Sequence, residues 1–168
     1  MMQDFISAMN ELTALVEDSG QMLQDLDNLL ITEKKNKQNR SVKQIIGHMI
    51  DSASNNTHRI IRLQYGVSPL KFPDYASEGN NDRWISIQNY QDEDRKLLVN
   101  LWKCVNLHFV HVVGNINPDK IDNKWEASQG AYVTLYDMVI DYLRHFKLHL
   151  SEIQELLQQP LNTIVLEK

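Results

Sequence analysis

Tyr142-Leu143-Arg144-His145-Phe146-Lys147-Leu148-His149-Leu150-Ser151-Glu152-Ile153 is the stretch whose reading decides the fold. It reads as helix. The i, i+4 spacing puts the imidazoles of His145 and His149 on one face, one turn apart. Two side chains so placed can share one metal ion. Alone the pair is a weak motif: it recurs by chance and lacks the His-Glu-x-x-His form that supplies a protease base. A third histidine, His48, stands in Ile46-Gly47-His48-Met49-Ile50-Asp51-Ser52, on a second predicted helix far away in sequence. Helix bundles build metal sites from side chains on facing helices. Three imidazoles without an obvious fourth ligand leave an open position, which goes with catalysis more than with structure.

Four helical segments stand out around these histidines. The first runs over about 4–31, with Phe5, Met9, Leu12, Val16, Ser19, Leu23, Leu26 and Leu30 spaced by fours and threes. Asn36 to Arg40 form a polar loop. The second runs over about 42–65. Ser41 and Gln44 make a capping box at its start, and Gly66 and Pro69 mark its end. Its apolar face is Val42, Ile45, Ile46, Met49, Ala53 and Ile60. The third covers about 88–114, with a stripe of Leu98, Leu101, Val105, Phe109 and Val112. The fourth covers about 135–158, opened by Thr134 with Asp137 and ended by Pro160. The short first loop makes helices one and two antiparallel neighbours. The connection over 66–86 is long and irregular, yet carries Phe72, Tyr75 and Trp84. Connections of that length inside a domain are usually functional or disordered, and aromatics argue against disorder.

Composition fits a single domain over 1–168, large enough to bury a core. Gly (6) and Pro (4) are scarce, which favours long helices. A net charge of -5 argues against nucleic acid as a general partner. The basic run Lys34-Lys35-Asn36-Lys37 reads as a solvated loop. The lone Cys104 excludes an intrachain disulfide and reads as a buried thiol in a reducing compartment. Met1-Met2-Gln3-Asp4-Phe5 leads straight into an amphipathic helix, with no secretory signal and no membrane-spanning run elsewhere. The expectation is a cytoplasmic protein without membrane or nucleic-acid partners.

Beside its apolar face the second helix carries His48, Asp51, Ser52, Asn55 and Arg59 at i, i+3, i+4, i+7 and i+11. A solvent-facing stripe is the plain reading. An inward turn is the other, with Lys43 and Ser54 as the solvent side. The fourth helix has Asp141, His145, His149 and Glu152 on one face. Ligating imidazoles usually donate their second N–H to a carboxylate or carbonyl, so Asp141 and Glu152 are candidates for holding the ring orientation. His58 lies off the stripe, and His108 and His111 form a lesser pair without carboxylate companions.

The ordered set Ser41 to Ser52, Asn55, Arg59, Pro69, Phe72-Pro73-Asp74-Tyr75, Trp84, Tyr90, Thr134-Leu135 and Tyr142 to Ile153 resembles the DinB/YfiT-like superfamily of metal-binding four-helix bundles. Within it, the set looks most like the branch that includes bacillithiol S-transferase-like enzymes. The resemblance implies an all-α, up-down-down-up bundle with a long connection between helices two and three. It also implies one divalent metal, zinc or nickel, on His48, His145 and His149, and a low-molecular-weight thiol cosubstrate. Such a metal can acidify a bound thiol or water. This makes thiol-dependent transfer or hydrolysis of a small molecule the leading expectation. Asp51 is the candidate for moving a proton. Asn55 and Arg59 are candidates for an anionic group, and Tyr75 and Trp84 for the pocket wall. A non-catalytic metal-binding or stress-response module, with a homodimer as one form of it, is the alternative. A plain helical protein with unmetallated histidines is the third reading.

Overall fold

The computed structural model describes residues 2–75 and 79–158. Its elements, in chain order, are α1 (Met2–Asp25), α2 (Asn28–Glu33), α3 (Val42–Tyr65), β1 (Leu70–Lys71) and α4 (Asn80–Gln88). Then come α5 (Arg95–Val113), a 3-10 turn (Pro118–Lys120), β2 (Lys124–Ser128), β3 (Ala131–Thr134) and α6 (Leu135–Gln158). The long helices α1, α3, α5 and α6 make the bundle. Met1 and Pro160 lie outside the described residues.

Cross-helix contacts fix the directions. Asp4 meets Tyr136 (3.1 Å) and Glu11 meets Lys147, so α1 and α6 run parallel. Glu17 meets Lys103 and Gln24 meets Asn100 (3.0 Å), so α1 and α5 run antiparallel. Lys43 at the start of α3 donates to the carbonyls of Gln91 and Glu93, just before α5, while Gln64 at its end accepts from Asn117, just after α5. The two helices are therefore parallel, and the order is up-down-down-up. α1 and α3 each pack mainly on α5 and α6 and sit on a diagonal from each other. The expectation that the short first loop makes them direct neighbours is corrected.

The helix ends follow local chemistry. Asp27 accepts from the Leu29 N–H (2.7 Å) and caps a new helix, so the predicted 4–31 helix is split at 26–27. Ser41 and Gln44 close a reciprocal capping box at the start of α3. Asp94 accepts from Leu97 N–H (2.9 Å) and starts α5 seven residues later than expected. Thr134 Oγ1 accepts from Asp137 N–H (3.0 Å) at the start of α6.

Four packing expectations change. In α1 Gly20, not Ser19, turns inward. In α5 the buried set is Leu98, Val99, Trp102, Asn106, Phe109 and Val113, and Leu101 is 39% exposed. The seam is rotated because Asn106, a buried polar residue, carries it. Asn106 Nδ2 donates to the Trp102 carbonyl (2.8 Å), and its Oδ1 accepts from Tyr142 OH (2.6 Å). Cys104, two positions from both Trp102 and Asn106, consequently faces outward and is exposed. Lys43 and Lys34, read as solvated, are buried with their ammonium groups on backbone carbonyls, Lys34 on that of Leu157 (3.3 Å).

The connections are more ordered than the sequence suggests. The 66–86 segment contains β1 and most of α4. The segment after α5 forms the β2–β3 hairpin, and β1 pairs parallel with β2, giving a sheet ordered β1-β2-β3. This small sheet stands at the end of the bundle where α3 and α5 finish and α6 begins. Asn123 Nδ2 ties the hairpin to the Leu63 carbonyl (2.6 Å). No helix among the described residues is long and apolar enough to cross a membrane.

Candidate metal centre

α3 and α6 run antiparallel, so position 48 meets position 149 and position 52 meets position 145. The ring centroid of His48 lies 4.7 Å from that of His149 and 5.5 Å from that of His145. One nitrogen from each ring falls within 4.8 Å of the others, and no other metal-sized group of His, Cys, Asp or Glu forms among the described residues. His145 Nε2 and His149 Nε2 are 3.1 Å apart. Two nitrogens at metal–imidazole distance on a tetrahedral ion are separated by about 3.3 Å, so this pair already has the right spacing.

Each outer nitrogen is occupied. His48 Nδ1 pairs with Tyr75 OH at 2.8 Å, and the same hydroxyl donates to the His48 carbonyl (3.3 Å). His149 Nδ1 pairs with Glu152 Oε2 at 2.9 Å. His145 Nδ1 lies 3.5 Å from Ser52 Oγ. A carboxylate can only accept, so Glu152 keeps the His149 proton on Nδ1 and leaves the Nε2 lone pair facing His145. Such outer partners fix tautomer and ring orientation at metal sites.

Burial, reinforced by the neighbouring imidazoles, holds His48 down at about 2. Burial, reinforced by His149, lowers His145 to about 4. The His149 hydrogen bond holds the Glu152 carboxylate below its usual range against the opposing effect of burial. Neutral imidazoles backed by an ionised carboxylate are the protonation states a divalent cation needs. The donor set therefore fits a metal.

A cavity of about 600 Å³ opens beside the cluster. His48, His145 and Tyr75 line it, with Arg59, Asn56 and Trp125 further along. Several expected residues stand differently. Asp51, three residues on from His48, turns away toward α4 and does not line the cavity. Its Oδ1 accepts from Gln88 Nε2 (2.8 Å) and Tyr90 OH (2.7 Å), and burial raises its pKa. Asn55 bends back onto the Asp51 carbonyl (2.9 Å), and Asn56 takes the cavity position instead. Asp141 lines the cavity but pairs with Arg144 (2.6 Å), so Ser52 rather than Asp141 is the partner of His145. Trp84 packs edge-on against Tyr75 at 5.2 Å and supports it from behind, while Trp125 of the hairpin forms the wall. Trp125 went unread because its strand lay in a segment read as connection. His58, His108 and His111 are exposed and stand outside the cluster.

No protein-family model and no curated protein matches the sequence. The fold does match a solved structure from Bacillus subtilis, described as "YfiT from Bacillus subtilis is a probable metal-dependent hydrolase with an unusual four-helix bundle topology". The TM-score is 0.74 over 92% of this chain and 85% of that one, at 15% identity. That likeness shows a YfiT-like four-helix-bundle fold. Nothing in it singles out the bacillithiol S-transferase-like branch.

Proposed function

We propose that this chain is a metal-dependent enzyme in which His48, His145 and His149 hold one divalent cation, zinc or nickel, and that it hydrolyses a small molecule. The observation that carries the reading is the inward-facing histidine cluster with every outer nitrogen engaged. Three imidazoles suit either metal. A bound divalent cation supplies Lewis-acid activation of a substrate oxygen and lowers the pKa of a water ligand. The chain's own residues do the rest. Tyr75 and Ser52 orient His48 and His145, and Glu152 holds the His149 proton on Nδ1. Met138 and Tyr142 supply the apolar wall. The adjoining cavity weighs against a non-catalytic module, because structural sites are closed by a fourth protein ligand. The description of the Bacillus subtilis structure favours hydrolysis over thiol transfer.

The test is metal analysis of protein purified without an affinity tag, followed by a panel of ester, amide and thiol substrates. About one metal per chain is expected, lost in His145→Ala, with EDTA-sensitive hydrolysis. Protein that takes up neither zinc nor nickel, with a melting temperature unmoved by EDTA, would refute it.

A further inference from the structure

Arg59 is only 6% exposed and lies on the cavity that the histidines open onto. Its guanidinium sits 4.2 Å from the Trp125 ring centroid, and one N–H donates to Asn56 Oδ1 at 3.3 Å. Among the described residues no carboxylate pairs with it. The two acids that share the cavity are engaged elsewhere: Asp137 with Thr134 (2.7 Å) and Asp141 with Arg144. The Asp74 carboxylate acts on it only through space, and a buried cation with no directly paired carboxylate is costly. The indole covers one face of the guanidinium and orients it, while most of its five N–H donors remain free along its edge. That planar fork matches a carboxylate or phosphate.

We propose that Arg59, braced by Trp125 and Asn56, binds an anionic group of the substrate, a carboxylate or a phosphate, at the end of the cavity away from the histidines. Positions 48 and 59 are eleven residues apart on one helix, about 16 Å between Cα atoms. The arginine side chain leans back toward the helix start, so a ligand bridges on the order of 10 Å. A cavity of about 600 Å³ holds such a molecule. The substrate class is an elongated small molecule, anionic at one end, with its reacting bond at the other. The placing of the reacting bond rests on the hydrolase reading above; the anion site does not.

The test uses metal-free protein, so that the histidines cannot serve as the anion receptor. Acetate, inorganic phosphate, 4-phenylbutyrate and its neutral isostere 4-phenylbutanamide are titrated at constant ionic strength. Calorimetry and the melting temperature are the readouts. Wild type should favour the acid over the amide by about tenfold or more. Arg59→Met should remove the preference, and Arg59→Lys, which keeps the charge but not the fork, should retain part of it. His48→Ala should keep it, which separates this result from failure of the metal reading. Phosphate acting in place of 4-phenylbutyrate supports the anion site and assigns a phosphate ester. No acid-over-amide preference and no phosphate effect in wild type, or either surviving in Arg59→Met, overturns the proposal.

Discussion

His48 and His145 resist protonation, with values near 2 and 4 against about 6.5 for a free imidazole. Between those values the unfolded chain binds more protons than the folded one, so stability rises with pH. The contribution is complete above about 6.5 and is lost as pH falls toward the folded values. By pH 5 the loss amounts to roughly 2 kcal/mol for each ring. The melting temperature in EDTA should therefore drop between pH 6.5 and 4.5, and drop less in a His48→Gln, His145→Gln double variant. Identical slopes in the two proteins would contradict this. Spacing on two helices made the three histidines legible in the sequence. Their partners were less so: Glu152 followed from its helix face, but Tyr75 belongs to a segment without periodicity. Asn55 and Asn56 could not be told apart, because both fold back onto the carbonyl four residues before them and only Asn56 lines the cavity.

The site also depends on how closely α3 meets the turn after α4. A Cβ built on Gly47 would stand 2.0 Å from the Tyr90 ring, whose hydroxyl is a donor to buried Asp51. Gly47→Ala must push the ring aside and disturb that hydrogen bond. A loss of about 1–3 kcal/mol is expected in urea denaturation. Gly20→Ala is the control: its Cβ meets Lys103 at an ordinary 3.7 Å, and helix propensity favours alanine there by about 1 kcal/mol. Equal effects at the two glycines would count against the tight contact. At this scale α3 was readable to the residue at both ends and α6 at its start, because caps coincide with clean apolar periodicity. α5 was read out of phase because its seam runs through Asn106. The β2–β3 hairpin was missed: its strands are five and four residues long and largely exposed, too short to show alternation.

Over the whole molecule, the bundle class was legible from four long amphipathic segments, while the adjacency of helices was not. Short loops usually join packed neighbours, but α2 and the loop after it carry the chain across a diagonal. The consequence concerns the order in which the chain can fold as it is made. α1 and α3 offer each other little surface, and both find their main partners only in α5 and α6. During synthesis residues 1–94 therefore emerge ahead of α5 and α6, with two apolar helix faces that only the short α2 and α4 can partly cover. Residues 1–94 made alone should be weakly helical by circular dichroism and prone to aggregate. Cooperative melting of that fragment would contradict the expectation. The helix pairings that close the bundle, α1 and α3 on α5 and α6, are distant in sequence, a topology that slows folding relative to a bundle of consecutive neighbours.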